Sequence, residues 1–269
     1  MSGFSAEWLS LREPHDRGAR NPVLLKAVTN AFAGKADVRI LDLGCGTGST
    51  LRALAPRLGA RQHWRLVDHD QALLGHAAES AAALNVKASA IRVDLDRQVE
   101  SLLGEPADLV TMSALLDLVS DEWLDRFVNC IAARGLHVYA ALSYDGRAEI
   151  APMHALDETV VRAVNLHQHS DKGFGPALGP SAATRTIEKL MQRGFFVHRG
   201  PADWIASAQD AAFQFEIVRG WAAAARETDV ISAEDVARWL AFRESEIAAR
   251  RSSLRVGHVD FFALPPSAL

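Results

Sequence analysis

The stretch VRILDLGCGTGS, residues 38–49, limits what this chain can fold into more than any other. Its apolar residues, Val38, Ile40, Leu41 and Leu43, form a short run of the kind that becomes a buried strand, and glycines then recur at Gly44, Gly46 and Gly48. Glycines at every second position permit backbone conformations that a side chain forbids, and they let the chain pass close to a ligand. Asp42 stands two residues before the first of them. A carboxylate there repels a pyrophosphate and favours a ligand carrying an ammonium and a sulfonium. The spacing agrees. Ser49 takes the place of the third glycine of a dinucleotide turn, and no Lys-Ser/Thr pair follows as a P-loop requires.

Strand and helix signals alternate around this turn. Asn21 and Pro22 open a helix carrying Leu24, Leu25, Val28 and Phe32 that Gly34 ends. After the turn come a helix in TLRALAPRL that Pro56 bends or ends, a strand at 64–68, and a helix over 72–84 capped by Asp70. Strands follow at 88–94 and 107–113, then a helix opened by Ser120, Asp121 and Glu122, and a fifth strand in GLHVYAALS. This rhythm predicts an α/β fold, a Rossmann-like and mostly parallel sheet with helices on both faces. From Tyr144 the rhythm breaks: a helix in ALDETVVRAVNL precedes HQHSDKGFGPALGP, whose glycines and prolines rule out regular structure. Ser181 then caps a helix ending at Gly194, FFVHRG is a strand, helices fall around 208–226 and 232–251, and LRVGHVDFFAL is a last strand.

Bulk properties narrow the function. A chain of 269 residues suffices for one large α/β domain with insertions. With 29 basic and 33 acidic residues the net charge is −4, so there is no global footprint for nucleic acid. Cys45 and Cys130 lie too far apart to suggest a disulfide framework or a zinc site, which fits a reducing compartment. No segment approaches the roughly 18 consecutive apolar residues of a membrane span, and the first residues lack a secretory leader's pattern. A soluble, cytoplasmic protein with no membrane partner is expected.

The segment DLGCGTG, residues 42–48, resembles the first motif of the class I S-adenosylmethionine-dependent methyltransferases, D/E-x-G-x-G-x-G, at all four specified positions. The resemblance extends over about residues 36–145, and the last two strands carry it to the far side of the sheet. It implies seven strands with the last antiparallel, and S-adenosyl-L-methionine as cofactor, held by Asp42, Gly44, Cys45, Gly46 and Gly48. A second acid at the end of strand two, bidentate to the ribose hydroxyls, corresponds to Asp68, with His69 beside the adenine ring. Asp94, followed by Leu95, matches an acid near the adenine amino group, and the end of strand four, including Ser113, faces cofactor and substrate. Other readings stay open: Asp42 as a structural acid bonded to loop amides, Asp70 in place of Asp68, Asp94 as a helix cap, Cys45 as a small packed residue.

The resemblance also implies a division of the chain. Residues 1–34 form an N-terminal helical segment over the cofactor mouth, where Arg12 or Arg20 either binds an anionic substrate or is simply solvated. Residues 35–269 form the methyltransferase domain, with cap or lid insertions at about 145–180 and 205–252. The family joins its last two strands by a short hairpin, whereas here residues 201–253 intervene, with Phe213, Phe215, Trp221 and Trp239 on two helices expected to shape a substrate pocket. In place of the Asn/Asp-Pro-Pro-aromatic tetrad of enzymes that methylate nucleic-acid amines stands SALLDLVS, which favours a small-molecule acceptor, methylated on O or N. An aminopropyl transferase of the same fold, for which only Asp117 offers an acid here, and a non-catalytic binding protein are the alternatives.

In-line displacement at a sulfonium methyl needs positioning, and a base where the acceptor carries a proton. His167 and His169 are the candidates, on one face if LHQHS is extended, as base or substrate contacts. Ordinary polar loop histidines, or metal ligands together with Asp171, are the other readings. The glycines around Phe174 suggest either a lid that folds an aromatic over substrate or a surface turn.

Overall fold

The computed structural model describes residues 4–59 and 61–266. Strand β1 (Asp37–Leu43) is the centre of the sheet because both of its faces are apolar: Val38 and Ile40 point into one core, Leu41 and Leu43 into the other. It is flanked in parallel by β2 (Arg61–Asp68) and β4 (Leu109–Ser113). Beyond these lie β3 (Lys87–Arg92) and β5 (His137–Ala151), also parallel. The strand β8 (Ser253–Leu264) runs antiparallel between β5 and β6 (Phe196–Pro201), giving the order β3-β2-β1-β4-β5-β8-β6. A three-residue strand, β7 (Trp204–Ala206), continues along the β6 edge of β8. The expected Rossmann-like sheet is therefore present, with β7 as an eighth strand.

Helices cover both faces. On one lie α2 (Pro22–Ala31), α3 (Ser49–Leu54) and α4 (Gln71–Ala83), burying Leu24, Leu51 and Leu74 against Ile40, Trp64 and Leu66. On the other lie α5 (Leu95–Gly104), α6 (Asp121–Arg134) and α8 (Ala182–Gln192), packed on Leu41, Met112 and Phe261. Asn21 and Asp70 cap α2 and α4 with their side chains, as the sequence predicts. Ser181 does not cap α8. A 3-10 turn over Gly179–Ser181 already puts its backbone in helical geometry, and its hydroxyl donates to the Leu178 carbonyl instead.

The sequence places a break at Tyr144, but β5 continues through it to Ala151. The first half of β8 supplies a pairing edge for the extra residues, with irregularities between Ala140 and Ser143 and between Tyr144 and Ala148. Beyond the sheet proper, these ends of β5 and β8 support a third core with β7, α7 (Asp157–His167), α9 (Ala211–Arg226) and α10 (Ala233–Ala248). Phe213 and Trp239 are buried in this core, so they stabilise the cap and line no cleft; Trp221 and Phe215 pack at its margin. Helix α1 (Ala6–Ala19) is capped by Ser5, whose hydroxyl accepts from the Trp8 amide at 3.1 Å, and runs on through Pro14. Trp8 and Leu11 dock it on the third core. No helix among the described residues is long and apolar enough to cross a membrane.

One ion pair ties the cap together. The guanidinium of Arg243, fully buried on α10, donates to both oxygens of Asp157 on α7 and, at 2.6 Å, to the Pro152 carbonyl. The indole of Trp239 donates to the same carboxylate at 2.8 Å. Asp157→Ala leaves that cation buried without its anion, which should cost about 3 to 5 kcal/mol. Urea unfolding measures it, and a loss below about 1 kcal/mol, the scale of an exposed pair, would contradict the assignment.

Candidate active site

The glycine turn closes the gap between β1 and β2. The Cys45 amide donates to the Val67 carbonyl at 2.9 Å and the Gly48 amide to the Cys45 carbonyl at 2.9 Å. Gly44 and Gly46 have φ of +63° and +53°, in the left-handed region, and each is also crowded. A Cβ on Gly44 would lie 3.3 Å from Leu115, and one on Gly46 would lie 3.3 Å from Leu9 of α1. Cys45 is buried, and burial together with Asp42 and Asp68 pushes its thiol well above the usual range, which excludes a thiolate nucleophile.

Asp42 is completely buried at the end of β1. Its Oδ1 accepts from the Thr111 hydroxyl at 2.7 Å, and its Oδ2 has no hydrogen-bond partner. Burial pushes its carboxyl up to about 7, although the Thr111 bond and the Arg20 charge pull the other way. The reading of Asp42 as an acid bonded to loop amides is thereby set aside. Arg20 comes down from the end of α1, nearly as deeply buried, and one nitrogen donates to Ser49 at 3.3 Å, Thr50 at 3.3 Å and Ser113 at 3.2 Å. Its Nε and Nη1 have no partner. It is thus no solvated charge, and it holds the turn, α3 and the end of β4 in one register.

Asp68 occupies the end of β2. Its Oδ2 accepts from the Gly46 amide at 2.9 Å and its Oδ1 from the Asp70 amide at 3.0 Å, with Nδ1 of half-exposed His69 3.1 Å from Oδ1. A carboxylate oxygen accepts up to two hydrogen bonds, so Oδ2 keeps capacity for another donor. The rival Asp70 caps α4, its Oδ1 accepting from the amides of Ala72 and Leu73. Asp94 caps α5 through the Asp96 amide at 3.1 Å and lies 3.5 Å from Arg97; Leu95 is buried, and its carbonyl accepts from the Trp123 indole. At Asp94, the capping role is the one the geometry displays.

The two histidines expected as base or substrate contacts do not share a face. His167 is the last residue of α7, and the chain turns on through His169, so the two imidazoles diverge instead of sharing an extended face. His167 lies 3.1 Å from Glu227 and 3.4 Å from the Lys172 ammonium, while His169 is 3.1 Å from the Ala177 carbonyl. Asp171 caps its own loop through the amides of Gly173 and Gly175. No group of three metal-ligating side chains comes together among the described residues. The glycine-rich loop is pinned, not hinged: Ala177 bridges to Ser120, the Leu178 amide donates to the Val119 carbonyl at 2.8 Å, and Phe174 packs edge-on to Trp123.

What this loop does bring in is Lys172, whose charge acts on Asp117. Asp117 lies in a 3-10 turn, Leu116–Leu118, directly after β4 and two residues from the Leu115 side chain that faces Gly44. It is 8 % exposed, and its Oδ1 has no partner. Burial pushes its carboxyl up to about 6, against the pull of Arg12 and Lys172. The sequence signal was faint, a single acid in an apolar run after strand four. A groove of about 350 Å³ along α7 is lined by Ile150, Glu158, Val161, Arg162 and Asn165 and holds none of the buried unpartnered polar atoms.

Helix α1 roofs the site and joins the cap to the turn. Glu13 receives two bonds from Arg52 at 2.5 Å, and Arg52 also donates to the Thr47 carbonyl. On its other side Arg12 and Trp204 both donate to Asp16 at 2.9 Å, and His15 stacks on Phe213. Arg12 is therefore a buried structural cation as well as a neighbour of Asp117.

Residues 40–134 match the family described as "Methyltransferase domain". Among solved structures, a SAM-dependent methyltransferase from Thiobacillus denitrificans in complex with S-adenosyl-L-homocysteine is 19% identical, with 97% of this chain and 99% of that one covered and a TM-score of 0.48. A SAM-dependent methyltransferase from Geobacter sulfurreducens, also in complex with S-adenosyl-L-homocysteine, is 17% identical over 98% and 100% of the two chains, with a TM-score of 0.47. The cyclopropane synthase MmaA2 from Mycobacterium tuberculosis is 12% identical over 97% and 94%, with a TM-score of 0.50, a likeness of fold. The comparison with curated proteins gives no match.

The raised carboxyl of Asp42 carries a pH signature. Its folded-state value, about 7, lies above its ordinary value of 3.8, so the folded state binds the proton more tightly and stability contributed by this group falls as pH rises from about 4 to 7. Asp42→Asn should flatten that slope and raise the melting temperature of the ligand-free protein at pH 8 relative to wild type. Parallel thermal melts from pH 4 to 8 measure it, and two curves of identical shape would contradict the buried, unpaired carboxylate.

Proposed function

We propose, from the premise that residues 40–134 are a methyltransferase domain, that this chain binds S-adenosyl-L-methionine at the glycine turn and methylates an oxygen or nitrogen of a small metabolite. The observation that carries the reading is a pair of buried, incompletely satisfied charges beside the turn: Oδ2 of Asp42 lacks a donor, and Nε and Nη1 of Arg20 lack an acceptor. Buried polar groups without partners are rare and costly, and a ligand that supplies the missing partners removes that cost. An amino-acid moiety supplies both complements, an ammonium for Asp42 and a carboxylate for Arg20. A pyrophosphate supplies neither a cation for Asp42 nor relief from its charge.

The other residues have roles consistent with this placement. Asp68 takes ribose hydroxyls with the acceptor capacity left on its carboxylate, and His69, half-exposed beside it, flanks the adenine. Asp94 and Leu95 border the adenine from the start of α5, and Ser113 holds Arg20 in place. Gly44, Cys45, Gly46 and Gly48 let the backbone approach the ligand. When bound, the cofactor supplies a methyl group on a sulfonium, so the protein's task is positioning, exclusion of water and handling of the acceptor's proton. Helix α1 and the third core provide the enclosure. His167 acts through Lys172, which it contacts, and His169 braces the loop that carries Lys172. The domain division follows the same lines, with residues 1–34 covering the cofactor mouth and the two insertions covering the acceptor.

Calorimetric titration with S-adenosylhomocysteine tests the proposal. Wild type should bind, and Asp68→Asn, which keeps size but loses charge on the ribose hydroxyls, should weaken binding by about ten- to a hundredfold, the worth of a charge-assisted hydrogen bond. Equal affinities for the two proteins would remove Asp68 from the site.

A further inference from the structure

We propose that Asp117 is the acceptor's proton-accepting partner and that the acceptor is an acidic hydroxyl, a phenol or enol, held between Asp117 and Lys172. The inference rests on the methyl-transfer reading above and adds the class of the acceptor and the residue that receives its proton.

Three observations converge. Asp117 is more than nine-tenths buried with an unpartnered Oδ1, a state that a hydroxyl donor would relieve. Its place in the chain, two residues beyond the Leu115 side chain that lies against Gly44, puts it at the same end of the sheet as the glycine turn, since β1 and β4 run parallel. Its charged and titratable neighbours come from every side: Arg12 from α1, Lys172 from the loop after α7, and Tyr144 from β5, whose hydroxyl is occupied as donor to Asn165 at 2.7 Å.

That neighbourhood discriminates between acceptors. Arg12 is already paired with Asp16, so the cation an ammonium acceptor meets beside Asp117 is Lys172. A neutral hydroxyl enters without that repulsion, and the negative charge that develops on its oxygen is stabilised by Lys172. An aliphatic alcohol holds its proton too tightly for a carboxylate base. A phenol, with a pKa of about 10, is within reach of a carboxyl raised by burial. The step balances: the acceptor O–H breaks with its proton passing to Asp117, the oxygen's electron pair forms the new C–O bond to the methyl carbon, and the C–S bond breaks with its pair remaining on sulfur. The products are a methyl ether, a neutral thioether and a protonated Asp117 that returns its proton to water.

The test uses 4-nitrophenol, whose ionisation is visible in its absorbance, added to the full chain saturated with S-adenosylhomocysteine. Bound 4-nitrophenol should absorb as the phenolate at pH values where it is neutral in solution, and Asp117→Asn and Lys172→Gln should each abolish that spectral shift while S-adenosylhomocysteine still binds. With S-adenosylmethionine, formation of S-adenosylhomocysteine should occur with members of a panel of phenols and not with amines of the same size. Asp117→Asn should lower kcat at least a hundredfold, leave KM for S-adenosylmethionine unchanged, and erase the acid limb of the pH profile. Turnover of amines in preference to phenols, no phenolate signal in a protein that binds S-adenosylhomocysteine, or an Asp117→Asn enzyme with its acid limb intact would each overturn the proposal. Failure of S-adenosylhomocysteine to bind at all would instead overturn the methyl-transfer reading beneath it.

Discussion

A carboxylate with one hydrogen bond and no access to water organises this molecule. Asp42 ends the central strand facing the glycine turn, with the Thr111 hydroxyl on one oxygen and nothing on the other. Leaving a buried polar atom unmatched costs on the order of 1 to 3 kcal/mol, and a charge costs more. The chain tolerates this because strands on both sides fix the position: β1 is paired along its length with β2, and from Ile40 to Leu43 with β4, and its end is buried on both faces. The fold therefore presents a stored electrostatic demand, rigidly aimed, at the one place where glycines let a ligand come close. Arg20, with two unpartnered nitrogens, makes the complementary demand, and its hydroxyl partners on α3 and β4 fix its position.

Helix α1 connects that demand to the rest of the protein. Through Glu13 and Arg52 it grips the turn, and through Asp16, Trp204, His15 and Phe213 it grips the cap. The cap is itself held by Arg243 and Asp157, so α1, α7, α9 and α10 form one body resting on the ends of β5 and β8. Asp117 lies where this body, the pinned loop and the end of β4 meet. The glycine turn and Asp117 thus share one edge of the sheet, beyond the carboxyl ends of β1 and β4, where ligands of open α/β sheets are generally found.

The parts of this arrangement that were legible in the sequence are those written in local patterns. A short apolar run and the glycines recurring after it identified β1 and its turn, and side-chain caps at Asn21 and Asp70 marked their helices. What the sequence concealed depends on partners far along the chain. Strand β5 passes through Tyr144 only because β8, more than a hundred residues later, offers it an edge. Three residues of β7 carry no periodicity of their own. His167 and His169 separate because α7 continues into a turn, where an alternate-residue argument does not apply. From the sequence, Asp117 is only the acid of the aminopropyl-transfer alternative; its burial beside residues of α1, the loop and β5 is something no local window contains.

The central claim, that the unpaired oxygen of Asp42 receives the ligand's ammonium, is tested most directly by counting protons on binding. Because burial holds the Asp42 carboxyl near 7, a substantial fraction is protonated at pH 6.5 before ligand arrives. A cation placed beside it drives that proton off. Calorimetry of S-adenosylhomocysteine binding at about that pH, in buffers of different ionisation enthalpy, should show net proton release in wild type that disappears in Asp42→Asn. Binding with the same proton count in both proteins would place the ligand's ammonium elsewhere and contradict the account.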